Sequence, residues 1–258
     1  MVNNKQISAI VIAKNVEKKI GKFLESLRWA DELVVIDTGS TDKTKETASK
    51  HNAKVYTFAK GSFPDWRNYG REKANCDFLF YLDTDEVVND ELKSEILETV
   101  KNWPAGVACF AIPRKNVIFG KVMMHGGWYP DYVIRLFEKG RLIRWVGDLH
   151  EQPQYRGGLK YTKNTIIHYK ENSLAEMLEK TNKRSEIEAR LMFDANHPPM
   201  TVLRFMTAMC REFFFRFVKN AAFLDGRKGI IMGIYQVYSR FISYAKLWEM
   251  QMKNEKKD

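Results

Sequence analysis

The chain is poor in cysteine. Its 258 residues hold three, Cys76, Cys109 and Cys210, far apart and without a CxxC pair. That spacing excludes a disulfide framework and a thiolate metal site, and it fits reduced thiols in a cytosolic protein. Long apolar runs are missing as well. None approaches the roughly 18 residues of a membrane span. The N-terminal run in MVNNKQISAIVIAKN stops at Lys14, too short for a secretory segment and placed where a first strand belongs. The expectation is a cytoplasmic protein, neither secreted nor integral to a membrane. Two further absences narrow the function. The stretch after the first apolar run, AKNVEKK, has no glycine until Gly21, so there is no glycine-rich phosphate loop. No helix-turn-helix, zinc or RNA-binding signature is found.

Of the residues present, 45% are hydrophobic and 29% charged, the usual balance of a globular domain with a sizeable core. The net charge of +10 is unevenly placed: residues 1–154 carry +2 and residues 155–258 carry +8. A basic C-terminal third points to an anionic partner, namely nucleic acid, phospholipid head groups or an acidic acceptor, or else to a solvated basic surface.

Short β-branched runs alternate with helical patterns along the first hundred residues. Ile7–Ala13, Leu33–Asp37, Lys54–Phe58 and Phe78–Leu82 read as buried parallel strands. Between them Val16–Trp29 carries Val16, Ile20, Phe23, Leu24 and Leu27 at helical spacing, and Lys43–His51 and Asp65–Ala74 also read as helices. Asp90–Trp103 follows as a further helix, stopped by Pro104. The pattern is an α/β fold with a mostly parallel, doubly covered sheet, and ligands bind such sheets beyond the carboxyl ends of the strands.

Residues 105–170 read as short antiparallel strands (Val107–Pro113, Tyr132–Phe137, Leu142–Val146, Thr165–Tyr169) that would form the acceptor-side half of the domain, with residues 1–104 as the ligand-binding half. From Ser173, a plausible helix cap, residues 171–258 read as a basic helical extension with helices over Leu174–Ala195, Thr201–Asn220 and Ile230–Gln251. Arg204, Arg211, Arg216 and Lys219 interleave with Phe205, Phe213, Phe214, Phe215 and Phe217 in the middle one. Such a helix either lies in a membrane interface or packs its aromatics on the catalytic domain.

Two acidic motifs follow directly after apolar strands. Asp83-Thr84-Asp85-Glu86 offers carboxylates at i and i+2, suited to a hard cation such as Mg²⁺ or Mn²⁺ that bridges to diphosphate oxygens. The alternative is an ordinary helix cap by Asp85 or Glu86. Asp37 at the tip of its strand, followed by Gly39-Ser40-Thr41-Asp42, suits a ribose or base edge, or equally an ordinary strand–turn–helix cap with Ser40 or Thr41 as N-cap.

Together the runs IVIAKN, VVIDTGSTDKT and FLFYLDTDE resemble the first half of the inverting family 2 glycosyltransferases, whose fold is called GT-A. The resemblance implies a Rossmann-like GT-A sheet with a helical C-terminal extension. It also implies metal-dependent transfer of a sugar from a nucleotide-diphospho-sugar to a glycan hydroxyl. On it, Ala13, Asn15 and Asp37 would contact the nucleotide, Asp83 the nucleotide-sugar and metal, and Asp85 the metal. Many members carry two consecutive aspartates after the second strand; here the second position is Thr38.

DWRNYGREKA, HGGWYPDYVIRLFEKG, DLHE, IIHY and FLDGRKG extend the resemblance to the bacterial lipopolysaccharide-core β-glucosyltransferase subgroup over residues 5–250. It implies Arg67 and Asn68 near the donor, Trp128, Asp131 and Arg135 on the acceptor side, and UDP-hexose, UDP-glucose in particular, as donor. The inverting reaction needs a general base. Glu151 or Asp131 would serve, with His150 as a metal or diphosphate ligand; His125 and His168 read as satisfied structural residues. A glycan or glycolipid acceptor and peripheral contact with the inner face of the cytoplasmic membrane complete the expectation. The rival readings are a sugar-nucleotide nucleotidyltransferase and a basic nucleic-acid-binding protein.

Overall fold

The computed structural model describes residues 5–147, 151–170 and 173–255. The chain divides into two compact units, residues 1–114 with 132–168 and residues 115–131 with 169–258. The segment 115–131, expected beside the sheet, thus groups with the C-terminal helices.

The first unit is built from β1 (Ile7–Ala13), α1 (Glu17–Glu25), β2 (Glu32–Asp37), α2 (Thr44–Lys50), β3 (Lys54–Thr57), α3 (Phe63–Lys73), β4 (Phe78–Asp83), β5 (Glu86–Val87) and α4 (Asp90–Lys101). After these come β6 (Val107–Ile118), β7 (Lys121–Val122), β8 (Asp131–Glu138), β9 (Leu142–Val146), β10 (Gln152–Tyr155), β11 (Gly158–Tyr161) and β12 (Ile166–Tyr169). Of these, β7 and the far end of β6 belong to the second unit. The main sheet runs β3-β2-β1-β4-β8-β6-β12-β5, with β9 and β10 in a separate hairpin. The first four strands are parallel and β8 is antiparallel to β4.

Alternation along β1 and β4 divides the core into two layers. Ile7, Ala9, Val11 and Ala13 of β1, with Phe78, Phe80 and Leu82 of β4, pack on Ile20, Phe23 and Leu24 of α1 and on Leu92, Ile96 and Val100 of α4. Ile10, Leu79 and Tyr81 face the other way, against Ala74, Phe137 and Trp145. Burying each such large side chain contributes about 1.5–3 kcal/mol. Where α3 crosses this second face, Gly70 lets the helix approach the sheet: a Cβ there would stand 2.5 Å from Cγ2 of Ile10. The helix starts on a reciprocal cap between Ser62 and Asp65, with Pro64 in its first turn.

Below the sheet, Glu32 pins three strands. It is buried, and it accepts from Ser8 Oγ, Lys54 Nζ and both the backbone and side-chain nitrogens of Asn75. Burial alone would raise its carboxyl, but these donors, the Asn75 backbone N–H foremost, bring it down to about 2.

The strand read as ending at Pro113 continues to Ile118. Proline cannot donate to a ladder. Here the ladder of β11 on β6 ends at Ala111, so the missing donor at Pro113 costs no β11 bond. The strands β5, β7, β10 and β11 were not expected, being two to four residues long.

The second unit holds α5 (Leu174–Asp194), α6 (Val202–Phe213), a π-helical segment (Phe214–Lys219), a 3₁₀ turn (Ala222–Asp225) and α7 (Gly226–Glu255). The helix expected to run unbroken to Asn220 therefore widens over its last six residues, where Asn220 N–H donates to Phe215 C=O across five residues. Asp225 is the anchor of this unit. Its carboxylate accepts from the backbone N–H groups of Met124 and His125 at 2.9 and 2.8 Å, and its C=O accepts from Lys121 Nζ. Helices α5 and α7 meet through Thr181 and Tyr235, whose hydroxyls are 2.5 Å apart, and through Ser243 and Glu188 at 2.6 Å.

Gly70→Val should lower stability by about 1–3 kcal/mol, because the added methyls must displace Ile10 or lift α3. A urea unfolding curve checks this; a midpoint at or above that of wild type would refute the close-approach account.

Candidate active site

Registration of the parallel strands brings the sequence motifs side by side. Ala13 lies opposite Asp37, Ile12 opposite Asp83, and Asp37 opposite Thr57. The carboxyl ends of four adjacent strands thus present Ala13, Asp37, Asp83 and Thr57 along one edge.

The turns beyond β1 and β2 are tied to each other. Asn15 sits at a φ of 51°, a left-handed conformation that asparagine tolerates better than most residues. Its Oδ1 accepts from Thr41 N–H at 2.8 Å while its own N–H donates to Ser40 Oγ at 3.0 Å. Val16 N–H donates to Thr44 Oγ1, and Glu17 and Lys43 exchange further bonds with Asp42 and Glu17. Asp37, fully buried, accepts from Gly39 and Ser40 N–H at 3.2 Å. These bonds hold the turn in one shape; the helix cap considered at Ser40 or Thr41 falls instead at Lys43, since α2 starts at Thr44.

At β4 the carboxylates diverge in role. Asp83 Oδ1 accepts from Arg67 Nη2 at 3.1 Å and its Oδ2 from Arg135 Nη2 at 2.5 Å. Arg135 also donates to Glu86 Oε1 at 2.6 Å, which Arg114 Nη1 approaches at 3.3 Å. The other oxygen of Glu86 accepts from Asp83 N–H, closing the turn on itself. Arg67, buried, extends the network to Glu151 Oε1 at 3.2 Å and lies over the Trp145 ring at 4.9 Å. Three guanidiniums thus meet three carboxylates, Asp83, Glu86 and Glu151. Burial alone would raise the Asp83 carboxyl; Arg135 and Arg67 outweigh it and hold the group well below the usual carboxylate range.

Asp85 stands outside this neutral set. Its side chain is 50% exposed, and Nε2 of His168 lies 3.5 Å from its Oδ2. The two-residue β5 pairs with β12 so that His168 registers opposite Glu86, one residue beyond Asp85. A carboxylate and an imidazole side by side are a donor pair suited to a divalent cation. Among the described residues no third His, Cys, Asp or Glu joins them, so a cation here would draw its remaining ligands from the substrate and water.

The other expected site residues are placed unevenly. Arg135, expected on the acceptor side, is 3% exposed and spent on Asp83 and Glu86. Both faces of β8 are covered there, with Arg135, Leu136 and Phe137 all buried. Asp83, expected as a metal ligand, has both oxygens engaged by guanidiniums. His168, read as a structural residue, is the neighbour of Asp85, and Arg114 and Glu86 complete a network not foreseen; the two-residue β5 that aligns them leaves no periodic signal. Asn68 spends its amide on Trp145, donating to its C=O at 3.0 Å and accepting its N–H at 2.7 Å. Asp131 and Trp128 belong to the second unit, where Asn116 Nδ2 donates to Asp131 Oδ2 and to Trp128 C=O. His150 lies outside the described residues.

Residues 8–163 match the sequence pattern described as Glycosyl transferase family 2. An uncharacterized glycosyltransferase of Rickettsia bellii is 25% identical over 261 residues, spanning 96% of this chain and 88% of its own. The lipopolysaccharide core biosynthesis glycosyltransferase LpsC of Rhizobium meliloti is 23% identical over 269 residues, spanning 96% and 94%. Among solved structures, S. aureus TarS 1-349 in complex with UDP-GlcNAc covers 96% of this chain and 92% of its own at 16% identity, with a TM-score of 0.49. With a family match over more than half its length, the chain belongs to glycosyl transferase family 2 and is a glycosyltransferase.

Proposed function

We propose that the chain transfers a hexose from a UDP-sugar to a glycan hydroxyl with inversion, in the assembly of lipopolysaccharide core or a related cell-surface polysaccharide. The observation that carries the donor half is the separation of Asp85 from the charge-balanced cluster around Asp83. It leaves one exposed carboxylate, paired with an imidazole, at the edge where Ala13, Asn15 and Asp37 would receive a nucleoside. The named pathway of LpsC supports the acceptor class.

In this reading Asp85 and His168 would hold Mg²⁺ or Mn²⁺, which when bound supplies positive charge for the departing diphosphate. The acceptor oxygen attacks the anomeric carbon as the bond to the diphosphate oxygen breaks, so the configuration inverts. Glu151 takes the proton from the acceptor hydroxyl; Asp131 is the other candidate for this step. Two contacts support Glu151. Arg67 fixes its carboxylate, and the same Nη2 holds Asp83, so the base is tied to the donor motif through one guanidinium. The cluster is a positioning device: Asp83, kept ionised by Arg135 and Arg67, orients the turn that carries Asp85.

Calorimetric titration of UDP with and without Mn²⁺ tests the donor site. Wild type should bind UDP more tightly with Mn²⁺, and Asp85→Asn should lose that gain while unfolding at the wild-type temperature. Equal binding with and without metal would sink the cation assignment.

Glu151→Gln should lower kcat by about 10²–10⁴-fold, as loss of a general base does, and leave UDP affinity within a few-fold. A full-rate Glu151→Gln alongside an inactive Asp131→Asn would transfer the role.

Arg135→Leu should cost about 3–5 kcal/mol in a denaturant titration, because it breaks a buried pair and leaves Glu86 with Arg114 alone and Asp83 with Arg67 alone. A variant of normal stability with only a raised acceptor KM would instead return Arg135 to the acceptor side.

A further inference from the structure

The second unit carries an unusual surface. On α6, Leu203, Met206, Cys210 and Phe213 recur at intervals of three, four and three residues, on the side away from the buried Ala208. Along α7, Ile231, Ile234, Tyr238 and Phe241 recur at intervals of three, four and three, and all are exposed. The two helices lie against each other through Phe205 and Phe241, with ring centroids 5.8 Å apart. Between them in sequence Phe214, Val218, Phe223 and Leu224 are also exposed, and Val202 and Leu203 at the start of α6 are 82% and 73% exposed. Soluble surfaces scatter single apolar side chains; so many large ones on adjoining helical stripes mark a contact surface.

Charge identifies what the surface meets. Residues 200–241 contain Arg204, Arg211, Arg216, Lys219, Arg227, Lys228 and Arg240, against Glu212 and Asp225 alone. Both acids are turned inward. Glu212 is held by Arg216 at 2.8 Å and approached by Arg240 at 3.9 Å, and Asp225 is 4% exposed, engaged by Met124, His125 and its ring. Among the described residues neither Arg204 nor Arg211 forms an ion pair, and they recur on the flank of the α6 stripe. The face is therefore apolar, rimmed by cations and cleared of outward negative charge. A second copy docked about a two-fold axis would set cationic rim against cationic rim. An anionic lipid surface complements both features, taking the apolar side chains below its head groups and the cations among them. No helix among the described residues is long and apolar enough to cross a membrane, so contact would lie in the plane of the interface.

We propose that α6, the π-helical segment and the first half of α7 form a membrane-binding face that seats the protein on anionic phospholipid. The proposal does not rest on the donor reading, and its test needs no activity. The full chain is sedimented with vesicles of phosphatidylcholine alone and of phosphatidylcholine mixed three to one with phosphatidylglycerol, at low and at physiological salt. Co-sedimentation with the anionic vesicles, weakened by salt, is the expected result. Arg204→Gln with Arg211→Gln should reduce partitioning about fivefold per charge removed. The triple variant Leu203→Ser, Phe214→Ser, Ile234→Ser should abolish it, with an unchanged thermal unfolding curve because all three side chains are exposed. The proposal is overturned by failure to sediment with either vesicle, by association that the triple variant retains, or by a dimer in solution that the same triple variant dissociates.

Discussion

The constraint on which the site depends is charge balance at the carboxyl edge of the sheet. Asp83 and Glu86 are fixed there by the end of β4 and the start of β5, and both would be costly if buried unpaired. Arg135 from β8, Arg114 from β6 and Arg67 from α3 reach in from three separate elements to neutralise them. The network thus joins the parallel half of the sheet to the strands beyond β4. Its consequence is chemical, since with the other carboxylates compensated Asp85 is the exposed negative group beside His168. The i, i+2 spacing puts the two aspartates in different environments, one held by guanidiniums and one exposed beside an imidazole, within three residues.

Much of the first hundred residues was legible in the sequence because doubly covered parallel strands are written as uninterrupted apolar runs. ISAIVIA and FLFYLD leave no other economical reading, and the edge they share follows from topology. What could not be read was anything set by strands too short to carry a period. β5 has two residues, yet its pairing with β12 is what delivers His168 to Asp85. The burial of Arg135 was hidden for the opposite reason: its strand does alternate, and alternation normally separates a wet face from a dry one. Here the side that should be wet is filled by carboxylates from β4 and β5, information that lies fifty residues away in the chain. Pro113 misled in the same fashion, since whether it interrupts β6 depends on where β11 ends.

The C-terminal unit follows another logic. The cap at Ser173 was readable, while Thr201, read as the first helical residue, is itself a cap; both accept from the N–H three residues on. The sequence also gave the interleaving of arginine and phenylalanine, but not whether the aromatics pack inward. The structure divides them: Phe205 pairs with Phe241 and Phe217 stacks on Phe213 at 4.7 Å, while Phe214 and Phe223 remain in solvent. Asp225 explains part of that division. By capturing the backbone of Met124 and His125 it fixes the 3₁₀ turn, and the turn in turn holds Phe223 and Leu224 outward.

The turns after β1 and β2 are organised by their own side chains. Asn15, Ser40, Thr41, Asp42 and Thr44 exchange side-chain to backbone bonds across the turns after β1 and β2, and Asp37 accepts from two N–H groups of its own turn. A site assembled in this way spends little of its binding free energy on ordering loops, so more remains for holding the donor. It also accounts for an arrangement that looks wasteful, in which residues expected to touch a nucleotide bond mainly to each other. Asn15 in a left-handed conformation and Asp37 at full burial act on the backbone of these turns. By this reasoning Thr38, standing where many relatives of the resembled family have a second aspartate, fits its place: its N–H donates to Ala13 C=O, extending the β1–β2 ladder one step further toward the edge. A carboxylate at that position would add a second negative charge beside the buried Asp37 with no cation among the described residues in contact to offset it.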